Sequence, residues 1–131
     1  MKNMSILVPL FAAITPFILW PIEIILPYPY IVEEISKAIL IFFLLKLPNR
    51  EKILGTIMIG FLFSFSETVL YLFNVFSVGS LQTLLLRFIF TTPMHILTSL
   101  IILSSALINK NLIILGIIIA ALVHYIFNLI V

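Results

Sequence analysis

The chain has 131 residues, of which 63% are hydrophobic and only 9% are charged, and its mean hydropathy is +1.35. A soluble domain of this length needs a polar surface that this composition does not supply, so lipid must solvate most of the chain. The absence of cysteine excludes disulfides, thiolate metal sites and a nucleophilic cysteine. The net charge of +2 comes from cations scattered along an apolar chain, so no nucleic-acid partner is expected.

Breaks in the apolar pattern divide the chain into five candidate membrane spans, which cover residues 5–26, 30–45, 53–76, 81–108 and 112–131. Most of them are long enough for a hydrocarbon core of about 30 Å at about 1.5 Å per residue. The second span reaches only about 24 Å, so its glutamate-bearing end is expected to start below the outer headgroups. The sequence predicts an all-α, polytopic transmembrane helical bundle that forms one integral membrane domain over residues 1–131.

The cations between the spans predict the orientation of this bundle. They all fall on one side if five spans alternate, whereas the turns on the other side carry no charge. The positive-inside rule then places the N-terminus in the cytoplasm and the C-terminus outside. We expect an integral protein of a prokaryotic plasma membrane, with the lipid bilayer as its constant partner. The cations are Lys2, Lys46, Arg50, Lys52 and Lys110.

Eight ionisable side chains remain inside the spans. Such groups cost several kcal/mol each at membrane depth unless they are paired or hydrated, so they mark functional sites by default. Four glutamates oppose two permanent cations, which requires protonated carboxyls, protonated histidines or a bound divalent cation. Glu23 lies near the end of its span, so an alternative explanation is that its carboxylate reaches the polar headgroup region of the membrane. The eight are Glu23, Glu33, Glu34, Lys37, Glu67, Arg87, His95 and His124.

Helical spacing indicates that these groups face inward together. Polar and small residues recur every three or four positions on the last three spans, which confines them to one stripe of each helix. Ordinary helix packing is the alternative for the small residues, but it explains neither a glutamate nor a histidine. The stripes are Gly60, Ser64, Glu67, Tyr71 and Asn74, then Arg87, Thr91, His95 and Ser99, then Gly116, Ala120, His124 and Asn128.

The segment EEISK opens the short second span at residues 33–37. Lys37 follows Glu33 by four residues and Glu34 by three, so it can neutralise either glutamate on the same helix. The other glutamate is then a candidate general base. We expect one outward-opening, hydrated cavity in the outer half of the bundle, with this segment at its rim.

Four motifs resemble those of the PrsW-type intramembrane proteases, which are relatives of the CAAX prenyl endopeptidases and the Abi immunity proteins. EEISK at 33–37 is similar to the EExxK motif of that family, and FSFSETVLY at 63–71 is similar to its second motif. Arg87 with His95 resembles the third motif, and HYIFN at 124–128 resembles the fourth, an H-x-x-x-N. The motifs occur in family order, each on its own span.

The resemblance implies an intramembrane endopeptidase that cleaves membrane-embedded or membrane-adjacent peptide bonds, in membrane proteins or lipid-anchored peptides. By similarity, Glu33 or Glu34 takes the proton from water, and His95 polarises that water or protonates the leaving amine. His124 and Asn128 would donate hydrogen bonds to the oxyanion. The implied catalytic residues are Glu33, Glu34, Glu67, His95, His124 and Asn128, supported by Lys37, Arg87 and Tyr71.

The role of metal is a separate question. Glu67, His95 and His124 would suit a catalytic zinc ion, with another glutamate left as the base. The chain has no H-E-x-x-H sequence, however, and Asn128 is a poor zinc ligand. We therefore favour a metal-free glutamate mechanism, with zinc as the alternative cofactor.

Two other functions stay open at this point. Buried Glu, His and Lys also build the relays of proton- or ion-coupled transporters. A non-catalytic immunity or binding protein could use the same bundle.

Overall fold

The computed structural model describes residues 3–78 and 80–131, without the side chains of residues 74–78. Lys2 and the side chain of Asn74 therefore lie outside the described residues. Within these ranges the chain forms five α-helices and no strand, which confirms the predicted all-helical bundle. The helices are α1 Met4–Ile25, α2 Pro29–Leu44, α3 Asn49–Val78, α4 Leu81–Ile108 and α5 Ile113–Ile130, with a short 3-10 turn at Lys110–Leu112 before α5.

Four segments of the described chain are long and apolar enough to cross a membrane: Met4–Ile25, Asn49–Phe73, Leu81–Ile108 and Lys110–Ile130. The remaining helix, α2, has 16 residues and reaches about 24 Å, less than a hydrocarbon core of about 30 Å. Prolines flank this helix. Pro29 lies at the first turn of α2, where its missing N–H costs nothing, and Pro48 lies between α2 and α3. The structure thus has four candidate spanning helices and one shorter helix, where the sequence predicts about five spans.

The connections that precede α3 and α4 are shorter than the sequence predicts. The sequence predicts a loop for the charged segment 46–52, yet α3 already begins at Asn49. Glu51 lies in the first turn of α3, where the helix dipole stabilises a carboxylate. At the other end, the backbone of α3 stays helical through Val78. Ser80 then caps α4, because its Oγ accepts a hydrogen bond from the backbone N–H of Thr83 at 3.3 Å.

The shortest helix is the central one, since α2 packs against all four others. Its C-terminal half contributes Ala38, Ile41 and Leu44 to an apolar core that also contains residues of α1, α3, α4 and α5. Its N-terminal half buries Glu33, Glu34 and Lys37 instead. One half of the bundle is therefore apolar inside, and the other half encloses the charged groups.

Two glycines let the helices approach closely. A Cβ atom on Gly60 of α3 would lie 2.6 Å from Cα of Ile96 and 2.7 Å from the carbonyl oxygen of His95, both backbone atoms of α4. A Cβ on Gly116 of α5 would lie 2.8 Å from Oγ of Ser105. These contacts confirm the packing alternative for the two glycines. They also bring α3 against α4 at the level of His95.

Candidate active site

A cavity of about 500 Å³ opens at the end of the bundle where α1, α3 and α5 end and where α2 and α4 begin. The loop cations of the described chain lie at the opposite end, so the cavity faces the side that the positive-inside rule predicts to be outside. Its wall combines polar groups from all five helices with apolar side chains. The lining residues are Trp20, Glu23, Ile24, Pro29, Glu33, Glu67, Leu70, Tyr71, Arg87, Thr91, His124, Phe127, Asn128 and Val131.

Glu33 lies one turn into α2 and lines this cavity. It is buried, and its Oε2 has no hydrogen-bond partner among the described residues. The nearest cationic candidate is Nδ1 of His124, at 3.7 Å from Oε2. A buried carboxylate beside a cavity and with an uncommitted oxygen is suited to accept a proton from water.

Lys37 lies one turn further along α2 and is completely buried. Its ammonium nitrogen lies 2.7 Å from Oε1 of Glu34, 2.8 Å from Oγ1 of Thr98 and 3.2 Å from Nδ1 of His95. An ammonium group has three N–H donors and no acceptor, so these partners use its whole capacity. Nδ1 of His95 must therefore accept a hydrogen bond from Lys37.

The second nitrogen of His95 contacts α3. Nε2 lies 2.6 Å from Oε2 of Glu67, and because Nδ1 accepts, Nε2 carries the hydrogen and donates it to the carboxylate. His95 is completely buried and does not line the cavity, whereas Glu67 does. His95 thus lies one layer behind the wall and joins Lys37 to Glu67.

His124 is held from behind by the second glutamate of α2. Its Nδ1 lies 2.8 Å from Oε1 of Glu34, the oxygen that also accepts from Lys37. Glu34 is completely buried and outside the lining set, while His124 lines the cavity. Since Nδ1 is engaged, Nε2 is the nitrogen that His124 can offer to a ligand. A carboxylate that fixes an imidazole in this way is a common device of active sites.

The mouth of the cavity carries the remaining polar residues. Asn128 is exposed and follows His124 by one helical turn on α5. Glu23 is half-buried at the end of α1 and also lines the wall. The Arg87 guanidinium carbon lies 3.7 Å from the ring centroid of Tyr71, a cation–π contact between α4 and α3. Tyr71 therefore supports Arg87.

Residues 23–131 of the chain match the profile of a family described as PrsW family intramembrane metalloprotease. The chain belongs to this family. The match extends from Glu23, at the cavity wall, to the C-terminal end of α5. Membership assigns intramembrane protease activity in general to this PrsW-family protein, and with it a place in a membrane. Comparisons with curated proteins and with solved structures give no match.

The family description raises the question of a metal ion, and one set of side chains is close enough for one. Glu33, His95 and His124 each have a ligand atom within 4.8 Å of the others. Two histidines and a glutamate are a common zinc set. This group differs from the set predicted from the sequence, because Glu33 takes the place of Glu67.

The hydrogen bonds of His95 oppose such an ion. Both of its ring nitrogens are engaged, by Lys37 and by Glu67, and a cation at Nδ1 would also meet the Lys37 ammonium at close range. Only Glu33 and His124 then offer uncommitted ligand atoms. Catalytic zinc sites use three protein ligands, so this trio does not fit a zinc ion as it is arranged.

Two residues outside the predicted site set complete the structure around it. Thr98 accepts from Lys37 and donates to the carbonyl of His95 at 3.2 Å. Ser64 Oγ is 3.1 Å from Oγ1 of Thr91 and 2.9 Å from Oγ1 of Thr92, which ties α3 to α4 beside Glu67. Helical spacing in the sequence points to both residues, because Ser64 shares the stripe of Glu67 and Thr98 is one turn from His95.

Proposed function

We propose that this PrsW-family protein hydrolyses peptide bonds of membrane-embedded or lipid-anchored substrates inside the cavity. One observation carries the proposal: three helices supply four polar side chains to the wall of a single cavity. Those side chains are Glu33, Glu67, His124 and Asn128. Family membership supports the general activity, and the geometry supports the assignment of roles.

Glu33 is the proposed general base, and Glu34 is a positioning residue. The two carboxyls are adjacent, so they point about 100° apart around α2. Glu34 is committed to Lys37 and His124, whereas Oε2 of Glu33 is uncommitted and its side chain reaches the cavity. Glu33 accepts a proton from water, the resulting hydroxide attacks the scissile carbonyl, and Glu33 then returns the proton to the leaving nitrogen.

His124 and Asn128 are the proposed oxyanion donors. Glu34 holds Nδ1 of His124, so a protonated His124 presents its second N–H to the cavity. The amide of Asn128, four residues along the same helix, supplies a second donor.

Lys37 and His95 are proposed to act through Glu67. The ammonium of Lys37 fixes the His95 ring so that Nε2–H points to Glu67. The carboxylate of Glu67 is then held in one orientation at the wall, where it contributes a second acidic group. Neither Lys37 nor His95 touches the substrate in this scheme, so both are positioning residues.

The function is tested by reconstituting the purified chain in liposomes with a panel of transmembrane peptides and by identifying fragments by mass spectrometry. Cleavage within the bilayer or at its surface is expected. Ion flux that depends on Glu67, without any fragment, would support the transporter alternative. Partner binding without cleavage would support an immunity or binding protein.

The mechanism is proposed to be metal-free, in line with the engaged nitrogens of His95. Metal analysis of the purified protein should find no stoichiometric zinc, and 1,10-phenanthroline should leave the cleavage rate unchanged. Loss of cleavage with the chelator, restored by added zinc, would contradict this part of the proposal.

The wider relation to CAAX prenyl endopeptidases and Abi proteins stays a prediction from the sequence. The location in a prokaryotic plasma membrane also stays a prediction from the sequence.

A further inference from the structure

Arg87 is the one cation among the described residues that line the cavity, and it has no ion-pair partner there. Three carboxylates share the same wall, yet no oxygen of a described carboxylate lies within 4.0 Å of its guanidinium nitrogens. Its Nε is buried and makes no hydrogen bond within the described chain. An arginine in this position keeps its donors free, although pairing would lower its free energy.

Tyr71 explains how the guanidinium is held without an ion pair. The ring supports one face of the guanidinium at 3.7 Å, which fixes its plane and leaves the N–H donors without an ion-pair partner among the described residues. These donors form a fork that matches a carboxylate or a phosphate. Arg87 lies six residues into α4, about 9 Å from the start of the helix by the rise per residue, and so belongs to the outer part of the cavity.

We propose that Arg87, supported by Tyr71, is a specificity-determining residue that binds the carboxylate of an acidic side chain near the scissile bond. This inference rests on the proposed peptidase function, because the carboxylate is identified as part of the molecule that fills the cavity with Glu33 and His124. Arg87 lowers the cost of placing a substrate carboxylate in this cavity, because the three glutamates of the wall would otherwise repel it. Neutralisation of Glu67 at longer range is the competing role for Arg87.

The first experiment measures substrate preference in proteoliposomes. At each position around the cleaved bond of one transmembrane peptide, two versions are made, one with Gln and one with Glu. The value of kcat/KM is determined for both peptides of each pair. At one position we expect kcat/KM to be about tenfold or more higher for the Glu peptide than for the Gln peptide, because one charge-assisted hydrogen bond contributes a free energy of this size. Arg87→Gln should bring this ratio to about one, and Arg87→Lys should retain part of it.

The ratio separates binding from a structural role, because loss of folded protein lowers both rates equally. Arg50→Gln removes an exposed arginine at the opposite end of the bundle and should keep the wild-type ratio. An unchanged ratio in Arg87→Gln would overturn the inference, as would equal cleavage of every Glu and Gln pair by the wild-type protein.

A second readout does not require cleavage. Trp20 is the only tryptophan of the chain and lines the cavity, so its fluorescence reports on peptide binding. The wild type should bind the Glu peptide more tightly than the Gln peptide, whereas Arg87→Gln should bind the two peptides equally. This binding measurement remains valid if the peptides are not cleaved. If the Arg87-dependent signal instead follows phosphatidylglycerol in the vesicles, the ligand is a lipid phosphate and the inference is wrong.

Discussion

The ammonium nitrogen of Lys37 lies 3.2 Å from Nδ1 of His95, a residue 58 positions away on a different helix. This contact sets the tautomer of the imidazole, because an ammonium group can only donate. The hydrogen of His95 is then on Nε2 and points to Glu67 at 2.6 Å. One buried cation thereby determines how a carboxylate on α3 faces the cavity.

Replacement of Lys37 by Met should release this tautomer. Without the donor at Nδ1, the hydrogen can move to that nitrogen and the bond to Glu67 weakens. Nitrogen-15 spectra of labelled imidazoles should show a single Nε2–H form of His95 in the wild type and a mixture in Lys37→Met. Lys46→Met, at an exposed position, serves as the matched control. The same single form in Lys37→Met would show that Lys37 does not fix the ring.

Glu34→Gln should destabilise the fold as well as lower activity. The substitution leaves the Lys37 ammonium buried without an anion, and breaking a buried pair from one side costs about 3–5 kcal/mol. Adding Lys37→Met removes the stranded charge and should recover most of the lost free energy of unfolding, without recovering activity. Unfolding titrations in detergent micelles measure both. A double variant as unstable as the single one would contradict this account of the pair.

Gly60→Ala should separate α3 from α4 next to the site. The new methyl group meets backbone atoms of Ile96 and His95, which cannot rotate away, so we expect overpacking of about 1–3 kcal/mol and a lower cleavage rate. Gly55→Ala is the control, since its methyl group would meet only the flexible side chain of Leu44, nearest at 2.9 Å. Equal stability of the two variants would show that the close approach at Gly60 is not needed.

Asn128→Ala should lower kcat more than it changes KM, because an oxyanion donor acts mainly in the transition state. Loss of one such donor costs about 10²–10³ in kcat, and the exposed position of Asn128 favours the lower end. Asn111, in the turn before α5 at the opposite end, provides Asn111→Ala as a control. A rise in KM alone would assign Asn128 to substrate binding.

The sequence predicts the inward-facing stripes well, because helical periodicity and the cost of buried charge are local properties of a segment. Glu67, His95 and His124 are therefore identifiable before any fold is known. The sequence does not predict which of these side chains line the cavity and which lie behind its wall. Which of Glu33 and Glu34 faces the cavity depends on the rotation of α2, and that rotation is set by contacts with four other helices.

The central position of α2 and the role of Thr98 as a hydrogen-bond acceptor for Lys37 were likewise outside the reach of the sequence. A run of apolar residues shows that a helix is buried, but it does not distinguish a central helix inside protein from a span in lipid. Thr98 reads as a packing residue until Lys37 is placed beside it at 2.8 Å. Both features depend on contacts between distant parts of the chain.

The most direct test compares cleavage by the wild type, Glu33→Gln and Glu51→Gln in chelator-treated proteoliposomes. Glu51 is a glutamate in the first turn of α3, at the end of the bundle away from the cavity. Loss of the general base should lower kcat by about 10²–10⁴ in Glu33→Gln with the unfolding free energy nearly unchanged, while Glu51→Gln keeps the wild-type rate. Wild-type turnover in Glu33→Gln would contradict the assignment of this cavity as the proteolytic centre.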